Sequence, residues 1–387
     1  TTFEKCFEHD WEYTNNGDTH TATCKLCGKD GGAVNHSYTG WTDNGDGTHT
    51  GKCVCGAEST EKHTLALTPN ADDLTHSGKC GVCGYAAAAE SHNFDQTDEY
   101  GKKCECGAYL AAEYNGQQYA TLARAIEAAK NGGTVTLARD VSENVTVAGG
   151  TVTVDLSGKN WRADISKNPD IWGDRIPLTV TGGSVTLENG TLYQGYTSSM
   201  GSYGIRIQGG SVTVKGNAVV IGSNTTGSAD NISYPAIILE SGDLTLETGA
   251  TLVHGLKVPE DKHLSDYLPE GTAFGLRSYD KATGTWTVGK DLFADAYTTN
   301  AYNVPDMALV VVEHTKHEFA RNSDGKYTCA CGYTCPHNEF ENGVCKICGN
   351  GCAHTSVDDG GVCRNCKTQM AVKSETGGTV TYGTDFK

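Results

Sequence analysis

The chain has 387 residues, a formal net charge of -17, 17 cysteines and 13 histidines. That length is enough for two or three domains. The acidic balance argues against nucleic acid as a partner and against tight binding to anionic lipid, and no run of about 20 apolar residues is present to cross a membrane as a helix.

From the N-terminus, the first pattern is a repeated cysteine pair: Cys24/Cys27, Cys53/Cys55, Cys80/Cys83 and Cys104/Cys106, joined much later by Cys329/Cys331, Cys345/Cys348 and Cys363/Cys366. Glycine follows six of the seven pairs, at Gly28, Gly56, Gly84, Gly107, Gly332 and Gly349. A tight turn there lets backbone N–H groups face the sulfurs, as in a metal knuckle. A closed tetrahedral zinc site needs two further ligands per pair. The spacing offers Cys6 and His9 to the first pair, His36 and His49 to the second, and His63 and His76 to the third. The nearer histidine lies four residues before the first cysteine of the second and third pairs, and His20 holds that place in the first unit. One candidate there, Cys6 or His20, is therefore surplus. The fourth pair has His92, with Tyr100 where the nearer histidine would sit, so this unit is either degenerate or borrows a ligand from elsewhere. His314 and His317 serve the fifth pair, Cys335 and His337 the sixth, and Cys352 and His354 the seventh. The expected cofactor is structural Zn2+, about six or seven ions.

A disulfide framework is the competing reading of a cysteine-rich chain. An odd cysteine count, histidines that track the pairs, and Cys-x-Cys spacings that close poorly on themselves favour metal. Catalytic zinc is disfavoured because such sites keep a position open. Between the ligands, Asn15-Asn16-Gly17-Asp18 and Asn44-Gly45-Asp46-Gly47, flanked by Trp11 and Trp41 on one side and threonine-rich segments on the other, predict β-hairpins too short to bury a core without metal.

No cysteine occurs between Cys106 and Cys329, which marks a different domain. It opens on a predicted helix over 121–130, in which Leu122, Ala125, Ile126 and Ala129 share a face and Asn131-Gly132-Gly133 supplies the stop. The period then changes to two. Gly149-Gly150-Thr-Val-Thr-Val, Gly182-Gly183-Ser-Val-Thr-Leu, Gly209-Gly210-Ser-Val-Thr-Val and Ser241-Gly242-Asp-Leu-Thr-Leu repeat at roughly 30 residues, the spacing of solenoid coils. A helix followed by such coils resembles the start of right-handed parallel β-helix proteins of the pectin-lyase-like type, which implies that the helix plugs one end of the apolar interior. An immunoglobulin-like sandwich is the alternative, and the repeat and single leading helix weigh against it. Knuckle repeats beside such coils, with the phrase Tyr267-Leu-Pro-Glu-Gly-Thr-Ala-Phe274, resemble large secreted surface proteins of Gram-positive bacteria. That resemblance implies a secreted or cell-surface location and an architectural style, not a reaction.

The expected fold is thus mainly β: a right-handed parallel β-helix with an N-terminal capping helix, flanked by arrays of small zinc-ribbon-like modules. The expected boundaries are 1–112 for four ribbons, 113–313 for the β-helix, 314–369 for three ribbons, and 370–387 for the start of a further strand or truncated domain. The absence of a signal peptide or initiator methionine at Thr1 suggests a mature product or an excised fragment.

One insertion carries candidate ligand-binding residues: Trp161 and Trp172 to stack on sugar rings, Asp164, Asp170 and Asp174 as acids or calcium ligands, and Arg162 and Arg175 as bases or anion clamps. Nothing fixes a carboxylate pair at a working separation, and no nucleophile elbow or phosphate-binding glycine loop occurs. His254 and His263 lack cysteine partners and are left out of the metal set. The resulting expectation is an extracellular structural or adhesive protein, more a non-enzyme than an enzyme, whose partners are a glycan, a protein or other copies of itself. A self-assembling filament or layer subunit and a β-helix polysaccharide lyase or hydrolase are the alternatives.

Overall fold

The structure, a computed structural model, describes residues 8–164, 166, 176–194, 203–224, 233–280, 285–291, 301–314, 317–329, 334–352, 354, 356–365, 367, 370–376 and 379–383. The chain is mainly β and divides into two compact units, residues 1–110 and residues 111–387. The second unit holds the long sheet together with the last three cysteine pairs.

The first unit is a succession of small antiparallel sheets. Strands β1 (Trp11–Asn15), β2 (Thr19–Cys24) and β3 (Asp30–Asn35) form one. β4 (Thr39–Asp43), β5 (Thr48–Lys52) and β6 (Glu58–Lys62) form the next, and β7 (Leu65–Pro69), β8 (Thr75–Cys80) and β9 (Glu90–Ser91) the third. A two-stranded ribbon of β10 (Gln96–Asp98) and β11 (Gly101–Lys103) follows. The hairpin turns are where Asn, Asp and Gly cluster. In the first, Asn15 pairs with His20 across the turn and the Asn15 side chain accepts the Gly17 N–H at 2.9 Å. In the second, the Asp43 carboxylate accepts the Gly45 N–H at 2.9 Å. Such short side-chain to backbone bonds fix the turn locally.

Burial alternates along β5 and β8, and β2 buries the same two positions, because period two sends every second residue to one face. His20 and Cys24, His49, Gly51 and Cys53, and His76, Gly78 and Cys80 are the buried residues of those faces. Glycine is required at two of them. A Cβ on Gly51 would lie 2.7 Å from the Trp41 ring, and one on Gly78 would lie 2.9 Å from a Leu67 methyl.

In the second unit a single 17-stranded sheet carries the core. After α1 (Leu122–Ala129), its strands pair parallel with a strand one coil further along, at first the third strand on and later at other intervals, where Ile205–Val214 and Ile237–Leu246 each serve two ladders, giving three ladders among the described residues. In the first ladder Val135, Val154, Leu187, Val214 and Leu246 stand in one register column. The second stacks Val141, Trp161, Leu192, Val220 and Leu252, and the third stacks Val147, Val180, Ile207 and Leu239. All of these side chains belong to one apolar cluster. Burial of both β-branched and aromatic residues in successive layers is what makes the repeat cohere.

Both ends of the stack are closed. Ala112–Tyr114 pairs antiparallel with Asn131–Leu137, and α1 buries Leu122, Ala125, Ile126 and Ala129 against the cluster. At the other end Thr251–Lys257 pairs antiparallel with Ala301–Glu313, which ends the parallel run. The helix begins without a side-chain bond from its cap residue Thr121. Glu143 replaces it: its carboxylate accepts the N–H groups of Leu122 at 2.8 Å and Ala123 at 3.0 Å. A carboxylate at a helix N-terminus satisfies orphan donors and opposes the positive end of the dipole. Replacing Glu143 with alanine is expected to cost the second unit about 1–2 kcal/mol, read as faster amide exchange over 122–129 and a lower denaturant midpoint. Unchanged exchange there would deny Glu143 the capping role.

Beyond the sheet, Phe319–Arg321 pairs with Tyr327–Cys329, Phe340–Glu341 with Val344–Cys345, and Ala371–Thr376 with Thr379–Gly383, all antiparallel.

Candidate metal centres

Each knuckle of the first unit places its first cysteine at or just past the end of a strand and turns the chain back on itself. Cys24 N–H donates to the Lys29 carbonyl and Gly28 N–H to the Cys24 carbonyl, both at 2.8–2.9 Å, and the same pair of bonds recurs at Cys53/Gly56, Cys80/Gly84 and Cys104/Gly107. The glycine needs positive φ, +64° at Gly28 and +87° at Gly56. That curl directs N–H groups at the sulfur. At Cys53 the Cys55 N–H outweighs burial and brings the thiol down to about 6. At Cys24 burial opposes ionisation, yet the Cys27 N–H and the His9 ring still bring it to about 6.

The ligand-type side chains converge in sets. His20, His36, Cys53 and Cys55 form one; His76, His92, Cys104 and Cys106 a second; Cys335, His337, Cys345 and Cys348 a third. His9 gathers with Cys24 and Cys27, and His49 with Cys80 and Cys83. Within these sets Nδ1 faces sulfur at 3.5 Å for His9 and Cys27, 3.4 Å for His20 and Cys53, 3.3 Å for His36 and Cys55, and 3.4 Å for His49 and Cys80. The separations are 3.6 Å for His76 and Cys104, and 3.3 Å for both His92 and Cys106 and His337 and Cys348. A tetrahedral ion with bonds of about 2.3 Å to sulfur and 2.0–2.1 Å to nitrogen puts its ligands about 3.6 Å apart, so these distances fit zinc.

The outer nitrogens support the same assignment. His36 donates Nε2–H to the Gly17 carbonyl at 2.8 Å, which leaves Nδ1 as a bare lone pair facing Cys55. The His63 ring is buried, stacks on Tyr85 with centroids 4.4 Å apart and lies 5.2 Å from His49; its Nε2 is 3.5 Å from the Asp43 carboxylate and its Nδ1 has no hydrogen-bond partner. His63 thus borders the set of His49, Cys80 and Cys83 without being one of its three converging members. Burial pushes the Cys335 thiol up to about 12, with Cys345 and Cys348 alongside it. A thiol in such company ionises only against a cation.

The grouping differs from the spacing-based expectation at three pairs. His49 lies with Cys80 and Cys83, not with Cys53; His76 lies with Cys104 and Cys106, not with Cys80; and His20 supplies the ligand expected from His49. The reason is the strand itself. A histidine four residues before its own cysteine sits on the same face but about 13 Å away, too far to share an ion. The fourth unit is therefore complete, its borrowed ligand being His76 from the preceding sheet. His20, which competed with Cys6 for a place in the first unit, belongs to the second set instead, and its identical placement to His49 and His76 is the signal for that. Tyr100 occupies that place in the last ribbon, exposed, with no cysteine pair following before Cys329. There Asp98 ties the ribbon instead. It accepts Lys103 Nζ at 2.7 Å, the Tyr100 N–H at 2.8 Å and the Tyr109 hydroxyl at 2.9 Å, which holds its carboxyl at about 2.

Elsewhere, His314 Nε2 lies 3.6 Å from Cys329 and its ring 5.0 Å from that of His317, while Cys352 and Cys363 sulfurs are 3.6 Å apart and the His354 N–H points at Cys352. Cys6, Cys331 and Cys366 lie outside the described residues. So do Asp170, Trp172, Asp174 and Arg175 of the candidate glycan loop. Trp161 corrects that expectation. It is fully buried in the second ladder, with Nε1–H donating to the Glu143 carbonyl at 2.9 Å, and offers no ring face to a sugar. Arg162 is exposed, and Asp164 accepts the Ser166 N–H and hydroxyl at 2.9 and 2.6 Å in a local turn.

No helix among the described residues is long and apolar enough to cross a membrane. Comparison with protein-family models, with curated proteins and with solved structures finds no match for the chain.

Proposed function

We propose that the chain is an extracellular structural or adhesive protein, in which zinc-stapled hairpin modules carry a right-handed parallel β-helix that presents a surface to a glycan or protein. The observation that carries the metal half is the recurrence of Cys/His sets at tetrahedral ligand separations. The three parallel ladders around one apolar column support the β-helix half, and right-handedness follows from the usual hand of parallel crossovers. Thiolates held by zinc would also be protected from oxidation outside a cell.

Native mass spectrometry of reduced chain purified without chelator is expected to show about six or seven zinc ions. A metal-free chain lighter by about two daltons per cysteine pair would replace zinc with disulfides. For the binding half, the chain is expected to be retained on cell-wall glycan or host-surface glycan arrays without releasing product. Depolymerisation of an acidic glycan, abolished by Asp174→Asn, would overturn the structural reading.

A further inference from the structure

Each central strand of the first unit carries ligands for two different sites. In β2, Cys24 gathers with His9 and Cys27 while His20 gathers with Cys53 and Cys55. In β5, Cys53, one residue past its end, serves that second site while His49 serves Cys80 and Cys83. In β8, Cys80 serves the third site and His76 the fourth, with Cys104 and Cys106. The two ligands of a strand are four residues apart, on one face, and all six are buried. The interval is filled rather than open: in β5 and β8 the intervening glycine lets Trp41 or Leu67 pack directly on the strand between the two sites. No loop intervenes that could absorb a displacement of one site before it reached the next. The second histidines, His36, His63 and His92, follow immediately on the sheets that hold His20, His49 and His76.

We infer that residues 8–110 form a metal relay, in which each ion after the first joins imidazole from one module to two thiolates of the next and the ions bind with nearest-neighbour cooperativity. Ordering a strand at one site pre-positions its ligand for the adjacent site, so the ordering cost of the second ion is already met. The relay has a direction, histidines forward and cysteines back. It also has an end. Tyr100 stands where a fourth forward histidine would be, Asp98 holds that turn closed, and no knuckle follows before Cys329 to receive a ligand. This inference rests on the zinc reading above.

The test is amide exchange, read peptide by peptide, during zinc titration of the full reduced chain against a competing chelator. Protection of β1 to β9 is expected to appear together, within a narrow range of free zinc. In the C104S/C106S variant, which removes the fourth site without touching the third module, the free zinc needed to protect 75–80 is expected to rise about tenfold. Protection over 319–352 should not move. From the opposite end, C27S is expected to raise by a similar factor the zinc needed to protect 48–55, although Cys27 does not belong to the ligand set of His20 and Cys53. Unshifted midpoints in both variants, with full zinc loading of the parent chain, would overturn the relay and leave the zinc reading intact. No zinc-dependent protection anywhere would overturn both.

Discussion

Stripping metal from the reduced chain is expected to unfold residues 8–110 while leaving the parallel ladders of the second unit protected. The asymmetry follows from what each unit buries. Among the described residues before 111, the buried apolar side chains are Cys24, Cys53, Cys80, Cys104, Phe94 and Leu110, and the buried polar ones are His20, His49 and His76. Nearly every buried side chain is thus a ligand. Remove the ions and the interior becomes thiols and imidazoles crowded without a cation, inside sheets of two or three strands that are marginal by themselves. Structural zinc is worth about 10–16 kcal/mol of apparent binding free energy per site in small domains, which exceeds what such sheets contribute alone. The second unit instead buries a continuous column of valine, leucine and isoleucine from Val135 to Leu309. Amide exchange with chelator and a phosphine reductant should show protection lost across 11–103 and retained across 131–257. Retained protection in the first region of a metal-free, reduced chain would show that its sheets stand without ions.

Much of this was legible in the residues, and the part that was not has a geometric cause. The period-two phrases after paired glycines marked the ladder strands Thr151–Asp155 and Ser184–Glu188, because β-branched alternation is a local property. The helix over Leu122–Ala129 was equally local. Ligand identity was legible too, since cysteine pairs and histidines announce their chemistry. Ligand partnership was not. Spacing in sequence assigns His49 to the cysteine that follows it, whereas the extended strand carries that cysteine about 13 Å away and the fold delivers His49 to Cys80. Tyr100 looked like a lost ligand for the same reason, although it lies past the last module able to use one. Trp161 misled differently. A tryptophan beside arginine and aspartate in an apparent insertion resembles a sugar platform, but its register opposite Val141 and Leu192 sends the ring inward.

Introducing a side chain at Gly183 is expected to be the most damaging single substitution in the second unit. Gly150, Gly183, Gly210 and Gly242 stand in successive coils, each at positive φ, +82°, +77°, +69° and +94°. They stack directly upon one another: a Cβ on Gly183 would lie 2.3 Å from the Gly150 carbonyl oxygen, one on Gly210 would lie 2.4 Å from that of Gly183, and one on Gly242 would lie 2.4 Å from that of Gly210. The obstacle is backbone, which cannot rotate away, and the conformation is one that β-branched residues avoid. Ser184 N–H also donates to the Gly150 carbonyl at 2.7 Å, so displacing Gly183 would break the bond that begins the next ladder rung. Gly183→Val should therefore cost about 4 kcal/mol or more and lower the denaturant midpoint of the second unit sharply, with Gly183→Ala intermediate. Gly149 supplies the control inside the same motif, because a Cβ there meets nothing within 4 Å and its φ is not positive. Gly149→Ala should leave stability within about 0.5 kcal/mol of the parent or raise it slightly, through reduced freedom of the unfolded chain. Equal effects at Gly149 and Gly183 would mean that the paired glycines serve the turn alone, and that the close approach of successive coils does not constrain the sequence.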